Sequence, residues 1–190
     1  MTIFDEIIDQ LYAAALDDRG LPAALQAASR WVDAVGIDMS QLVKAAGLVT
    51  NYSTLEDDCI GEYIAHYYTV NPRPERALHT PPRTIFSDLT LMTTREVDLS
   101  EFHQDYLRRY ELGDFMGTIL DNNSSRWSYA AFVFDTASGA PSSRQVTRFR
   151  RLAQHLRRLL DKTGTRRQGE LVALLWRAAT TVRDRGPDPG

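Results

Sequence analysis

Apolar residues recur at helical spacing from the start of the chain. Phe4, Ile7, Ile8, Leu11 and Ala15 follow one another at three- and four-residue steps. Thr2 and Asp5 stand before them with the spacing of a variant capping box. Asp17, Asp18, Arg19 and Gly20 close this helix. A second begins near Leu21 and Pro22, where the missing proline N–H would lack a partner anyway. Its apolar face is Leu25, Ala28, Val32 and Val35, and Gly36 ends it. Residues 39–44 and 47–52 are short and β-branched, so they predict a hairpin turning at Ala45, Ala46 and Gly47. Residues 55–70 predict a helix that Asn71-Pro72 terminates, because the residue before proline is pushed out of helical conformation.

A polar, proline-rich stretch follows over 72–82, then a brief strand over 84–86. Asp98 with Glu101 has capping-box spacing for a helix carrying Phe102, Tyr106, Leu107 and Tyr110, which stops at Gly113. Residues 115–121 and 127–134 flank the turn residues 122–126 and give the clearest hairpin signal in the chain. A long helix over 142–161 carries Val146, Phe149, Ala153, Leu156 and Leu160, a coiled-coil-like seam with Leu152 and Leu159 beside it. Gly164 breaks that helix. Leu171, Leu175, Ala178 and Val182 predict another short one before a flexible end.

This order predicts an α+β fold. A central antiparallel sheet of about five strands carries helices on both faces, with further helices at the C-terminus. That is the architecture of PAS- and GAF-like α-β-α sandwiches. The expected division is a sensor domain over 1–162 and a helical extension with a flexible tail over 163–190.

Charge is distributed unevenly. Up to Pro141 there are 10 Lys+Arg against 21 Asp+Glu, a net of −11; residues 142–167 hold 9 against 1, a net of +8. The basic segment reads as a solvated helix face answering an acidic body, not as a nucleic-acid surface, because no aromatic platform is interleaved with it. The N-terminus has no signal-peptide pattern, and no run of apolar residues is long enough to span a bilayer. With one cysteine, Cys59, the expectation is a cytoplasmic protein.

Catalytic and metal motifs are missing. His66, His79, His103 and His155 show no metal-ligand spacing, and there is no CxxC, P-loop, GxSxG or GxGxxG. No cofactor and no metal are expected. The pattern that stands out is aromatic: Tyr63, Tyr67 and Tyr68 on one helix, Phe102, Tyr106 and Tyr110 on another, Phe86, Phe115 and Trp127 on strands. Rings supply contact area and hydroxyls supply orientation, as a small-molecule pocket requires. The same residues would also serve as ordinary core.

Several segments resemble the N-terminal domains of LuxR-type helix-turn-helix transcriptional regulators. They are residues 12–17 followed by 21–25, residues 63–68 before Asn71-Pro72, residues 100–107 before Gly113, and Phe149 to Leu160 with His155-Leu-Arg-Arg158. The resemblance covers about residues 5–162. In acyl-homoserine-lactone receptors of that family an aromatic pair and an aspartate before proline hold the polar head of the signal. The resemblance puts Tyr67 at the tyrosine position, Phe86 as an aromatic wall and Asn71 at the aspartate position. Asn71 lacks the charge, and Tyr63 stands where a tryptophan is usual, so the homoserine-lactone head is not the expected ligand. The residues after Asp161 are too few for the DNA-binding domain that such regulators carry.

The expected function is small-molecule sensing without catalysis. The expected ligand-binding residues are Tyr63, Tyr67, Asn71, Phe86, Phe102, Tyr106, Phe115 and Trp127. The expected dimer seam is Val146, Phe149, Leu152, Leu156 and Leu160, in a homodimer or in a heterodimer that antagonises a full-length regulator. A small enzyme using His103 remains a third alternative.

Overall fold

The computed structural model describes residues 1–14, 20–43, 48–81, 83–124 and 126–162. The expected turn at 45–47 and the expected C-terminal extension, with Leu171, Leu175, Ala178 and Val182, lie outside them.

Among the described residues the strands form one five-stranded antiparallel sheet in the order β2-β1-β5-β4-β3. The strands are β1 (Gly36–Val43), β2 (Leu48–Ser53), β3 (Ile85–Ser87), β4 (Leu112–Asn122) and β5 (Arg126–Asp135). The predicted hairpins are both present, as β1–β2 and β4–β5. β1 joins them by pairing with β5.

One face of the sheet is closed by α1 (Ile3–Ala14), α2 (Leu21–Val32) and α8 (Ser143–Lys162). The Thr2–Asp5 box forms at the start of α1, with Asp5 Oδ2 accepting from the Thr2 amide and hydroxyl at 2.8 Å each. Leu25, Ala28 and Val32 are fully buried, but Val35 is 47% exposed. The helix has already ended: Asp33 adopts a left-handed conformation and its N–H bonds Arg30 O. Val35 therefore enters the sheet approach and leaves the helical face.

Ile37 of β1, Met116 and Leu120 of β4, and Ala130, Phe132 and Phe134 of β5 meet these helices in one core. Phe149, Leu152, Ala153, Leu156 and Leu160 of α8 belong to the same core, with Val146 packed against it. The seam expected to face a partner thus faces this chain's own α1, α2 and sheet. A three-four spacing records only that one helix face is covered, and here the cover is internal. The basic side of α8 is partly used inside the chain as well. Arg148 pairs with Asp33 at 2.7 Å, and Arg157 donates to Thr118 Oγ1 at 2.7 Å and Ile119 O at 3.1 Å.

The other face carries shorter elements: α3 (Asp57–Glu62), a π-helical turn over Tyr63–Tyr67, α4 (Tyr68–Val70), α5 (Arg73–Ala77), α6 (Asp88–Leu91), α7 (Thr94–Leu99) and a second π-helical turn over Phe102–Leu107. Two expectations are corrected here. The proline-rich stretch contains α5. The helix of Phe102 is not capped by Asp98 with Glu101. That box lies earlier, where Thr93 and Glu96 open α7. Ser100 is extended and separates the two segments, and its carbonyl accepts from Gln104 N at 2.9 Å.

Gly117 of β4 leaves room for the ring of Phe86, its cross-strand neighbour on β3. A Cβ there would sit 2.4 Å from Phe86 Cε2, whereas one on Gly61 of α3 would meet nothing within 4 Å. Gly117→Ala should destabilise the fold by about 1–3 kcal/mol through overpacking. Gly61→Ala should stabilise it by about 0.5–1 kcal/mol by restricting the unfolded chain. Denaturant melts of the two variants would check the opposite signs.

Candidate ligand-binding site

Period-two alternation assigns one set of strand residues to the second face. Asp38 of β1 is paired with Ala131 of β5, which is paired in turn with Gly117 of β4. Tyr129 and Val133 share the face with Ala131 because they stand two residues to either side, and Trp127 stands two beyond Tyr129. Against this floor lies an aromatic layer from the two π turns. Tyr63 is 5.8 Å from Tyr106 and 6.2 Å from Phe102, centroid to centroid, and Phe102 stacks on Tyr106 at 5.3 Å. π-helical turns are rare and recur at functional sites. Both outer edges of the layer are clipped by polar contacts at the surface. Glu62 meets Arg109 through both oxygens at 2.8 Å, and His66 meets Glu101 at 2.5 Å.

A cavity lies between floor and layer. Its volume is about 40 Å³, room for a few waters at roughly 10–15 Å³ apiece. Of the sequence-predicted residues, Tyr63, Asn71, Phe86, Phe102, Tyr106, Phe115 and Trp127 are on its wall. Tyr67 is not on the wall. It packs against Tyr106 from outside, with centroids 4.8 Å apart.

Asn71 is already engaged locally. Its Nδ2 donates to Tyr63 Oη at 3.0 Å, and its Oδ1 accepts from Arg73 N at 3.0 Å. The amide therefore fixes Tyr63 and the start of α5. Burial pushes the Tyr63 hydroxyl up to about 12, with the Asn71 bond working against it. Tyr106 donates to Cys59 O at 3.1 Å, and its hydroxyl also lies 2.9 Å from Cys59 Sγ. Burial raises the thiol above its usual range, which leaves it unreactive.

The polar residues that matter most escaped the sequence reading. Arg73 is buried on the cavity wall and bonds Asp88 with two parallel contacts, Nε to Oδ1 at 2.9 Å and Nη2 to Oδ2 at 2.5 Å. Its guanidinium also lies 4.3 Å from the Phe115 ring centroid and 5.1 Å from that of Phe102. Burial alone would raise the Asp88 carboxyl, but the Arg73 charge holds it down at about 2. Asp38 is the reverse case. Burial pushes it up to about 6, although a Ser53 hydrogen bond and the Arg73 charge pull the other way. Its Oδ1 is buried without a hydrogen-bond partner, and so is Trp127 Nε1 on the same wall. The available signal for Asp38 was its being the single charged residue within β1.

His103 lies 3.3 Å from Asp88 Oδ2, the arrangement that a catalytic reading would look for. Neither residue is on the cavity wall, and Arg73 already occupies both Asp88 oxygens. Among the described residues no group of three or more His, Cys, Asp or Glu side chains could hold a metal ion. No described helix is long and apolar enough to cross a membrane.

No family model matches the chain, and no curated protein matches it. Solved structures do. The ligand-binding domain of VqsR from Pseudomonas aeruginosa is 13% identical with a TM-score of 0.62, over 84% of this chain and 94% of that one. The N-acylhomoserine-lactone-dependent LuxR-family transcription factor CepR2 from Burkholderia cenocepacia is 10% identical with a TM-score of 0.60, over 83% of this chain and 93% of that one. SdiA in complex with octanoyl-rac-glycerol is 10% identical with a TM-score of 0.59, over 85% of this chain and 68% of that one. The fold is that of the ligand-binding domains of LuxR-type regulators.

Asp38 yields a test of the site's electrostatics. A carboxyl whose folded value is raised destabilises the fold once ionised, so its cost is full above about pH 6 and vanishes below the unfolded value of 3.8. Asp38→Asn should therefore raise stability at neutral pH by about 1–3 kcal/mol. The advantage over wild type should shrink as pH falls from 6 towards 4. Urea melts of both proteins across that range would show it; a constant difference would place the cause elsewhere.

Proposed function

We propose that this chain is a small-molecule-sensing regulatory domain that binds its ligand between the sheet and the aromatic layer, without catalysis. The observation that carries this reading is the pair of orphaned polar atoms, Asp38 Oδ1 and Trp127 Nε1, on the wall of one aromatic cavity. Buried polar groups are nearly always hydrogen-bonded, and leaving one unpaired costs about 1–3 kcal/mol. A site that offers a free acceptor and a free donor among rings is built to receive something polar. The fold's occurrence in a lactone-dependent regulator and in a protein solved with an acylglycerol supports the same reading.

The cavity is narrow, so a ligand of more than a few heavy atoms must push the aromatic layer outward. The layer is suited to that movement. Tyr63 is tied to its surroundings through Asn71, while Ile64 and Tyr68 beside it face solvent. A homodimer belongs to the same proposal. One made through α8 would use the exposed side of that helix, because its apolar stripe is packed within the chain. The reading includes no direct contact with nucleic acid, consistent with Arg148 and Arg157 being engaged internally.

Thermal-shift screening against metabolite and lactone libraries tests the proposal. At least one compound should raise the melting temperature, with a shift that grows with concentration as mass action requires. The same compound should leave Ala131→Phe unshifted, because Ala131 is on the cavity wall and a ring there fills the space. Circular dichroism would confirm that the variant still melts cooperatively. A screen without a single stabilising compound would sink the sensing function.

A further inference from the structure

We propose that the ligand is an elongated organic amine whose ammonium group pairs with Asp38 and whose distal oxygen accepts from Trp127 Nε1. This rests on the sensing function proposed above and specifies its ligand.

Three observations converge on it. The first is charge. Arg73 is neutralised by Asp88 through two bonds, and its Nη2 also donates to Gly113 O at 3.2 Å. Asp114 is bound by the amides of Asp88 and Phe115 at 3.0 and 2.7 Å. Asp38 has a single side-chain donor, Ser53, and an oxygen with no partner. Around the cavity Asp38, Asp88 and Asp114 stand against Arg73, with His103 beside Asp88 at 3.3 Å, so the carboxylates outnumber the basic groups and a cationic ligand would restore balance. A buried charge without a partner is among the costliest features a fold can keep.

The second observation is the lining. Rings attract cations through their faces, and this wall already shows it: the Arg73 guanidinium sits over both Phe115 and Phe102. Tyr63 and Tyr106 complete an aromatic surround beside Asp38. Carboxylate and rings together are the usual recognition chemistry for an ammonium group.

The third is spacing. Asp38 stands opposite Ala131, and Trp127 lies four residues back along the same strand. At about 3.3 Å per residue the two positions are roughly 13 Å apart at the backbone. Two polar ends on a slender apolar body match that spacing better than a single amide or hydroxyl.

Isothermal titration with a matched set tests this. Tyramine, tyrosol and para-hydroxyphenylacetate share one phenol body and differ in carrying a cationic, neutral or anionic head. Tyramine should bind at least about tenfold more tightly than tyrosol, which corresponds to about 1.4 kcal/mol, and para-hydroxyphenylacetate should bind most weakly. Asp38→Asn should abolish the preference for tyramine. Trp127→Phe should remove the advantage of tyramine over phenylethylamine, which lacks the phenol oxygen. Equal binding of the three heads, a preference that survives Asp38→Asn, or no binding of tyramine would each overturn the amine assignment. A neutral or anionic compound emerging from the library screen would leave sensing intact while rejecting the amine. A library without any stabilising compound would reject both.

Discussion

The two faces of one antiparallel sheet constrain everything else in this molecule. Alternate residues of β4 and β5 serve different layers. Met116, Leu120, Phe132 and Phe134 belong to the core under α1, α2 and α8, while Phe115, Trp127, Ala131 and Val133 form the floor of the cavity. A slip of one residue would exchange these sets and put the cavity floor into the core. The bulges between Leu112 and Phe115, and between Ile119 and Asp121, are therefore placed where the strand can change phase without disturbing the central register from Phe115 to Ile119. Long amphipathic helices cover one side, and short helices and π turns cover the other.

Charge burial follows from that division. On the short-helix side there is too little regular structure to satisfy every backbone group, and side chains take over. Arg73 ties α5 to α6 through Asp88 and to β4 through Gly113 O. An ion pair of this kind is poor evidence of net stability, because desolvation offsets most of the attraction. Its value is geometric, since it fixes α5, α6 and β4 relative to one another. Asp38 receives no such compensation. The two aspartates contrast: Asp88, against Arg73, is held down at about 2, while Asp38, with a buried oxygen left unpartnered, is pushed up to about 6.

The legible part of the sequence was its periodicity. α1, α2, α8 and both hairpins follow from spacing alone, because each buries one face continuously. The aromatic wall was legible too: all but one of the residues expected to bind a ligand line the cavity, and Tyr67 packs just behind it. What escaped were features defined by distant partners. Arg73 meets Asp88 across fifteen residues and Gly113 across forty, and in the chain it reads as one more polar residue among prolines. The α8 seam was misassigned for a related reason. Spacing tells that Phe149, Leu152 and Leu156 are covered, and only the fold tells that the cover is α1, α2 and the sheet.

The π turns connect the fold to its use. Tyr63–Tyr67 and Phe102–Leu107 each widen the helix where it lies against the cavity. Such a turn carries one more residue than an α-helical turn, so it rotates the side chains that follow it. Tyr63 and Phe102 open the two turns, and with Tyr106 of the second they meet in one layer. The layer is held by exposed pairs at its edges and by the Asn71–Tyr63 bond within, each weak by itself. Opening it breaks no strand pairing, but it must part Phe102, Tyr106 and Leu107 from Leu112 and Val133 and loosen the Tyr106–Cys59 bond. Closing it over a bound molecule would restore those contacts and add the two hydrogen bonds that Asp38 and Trp127 lack. On the proposed function, ligand binding and closure of this layer would be one event.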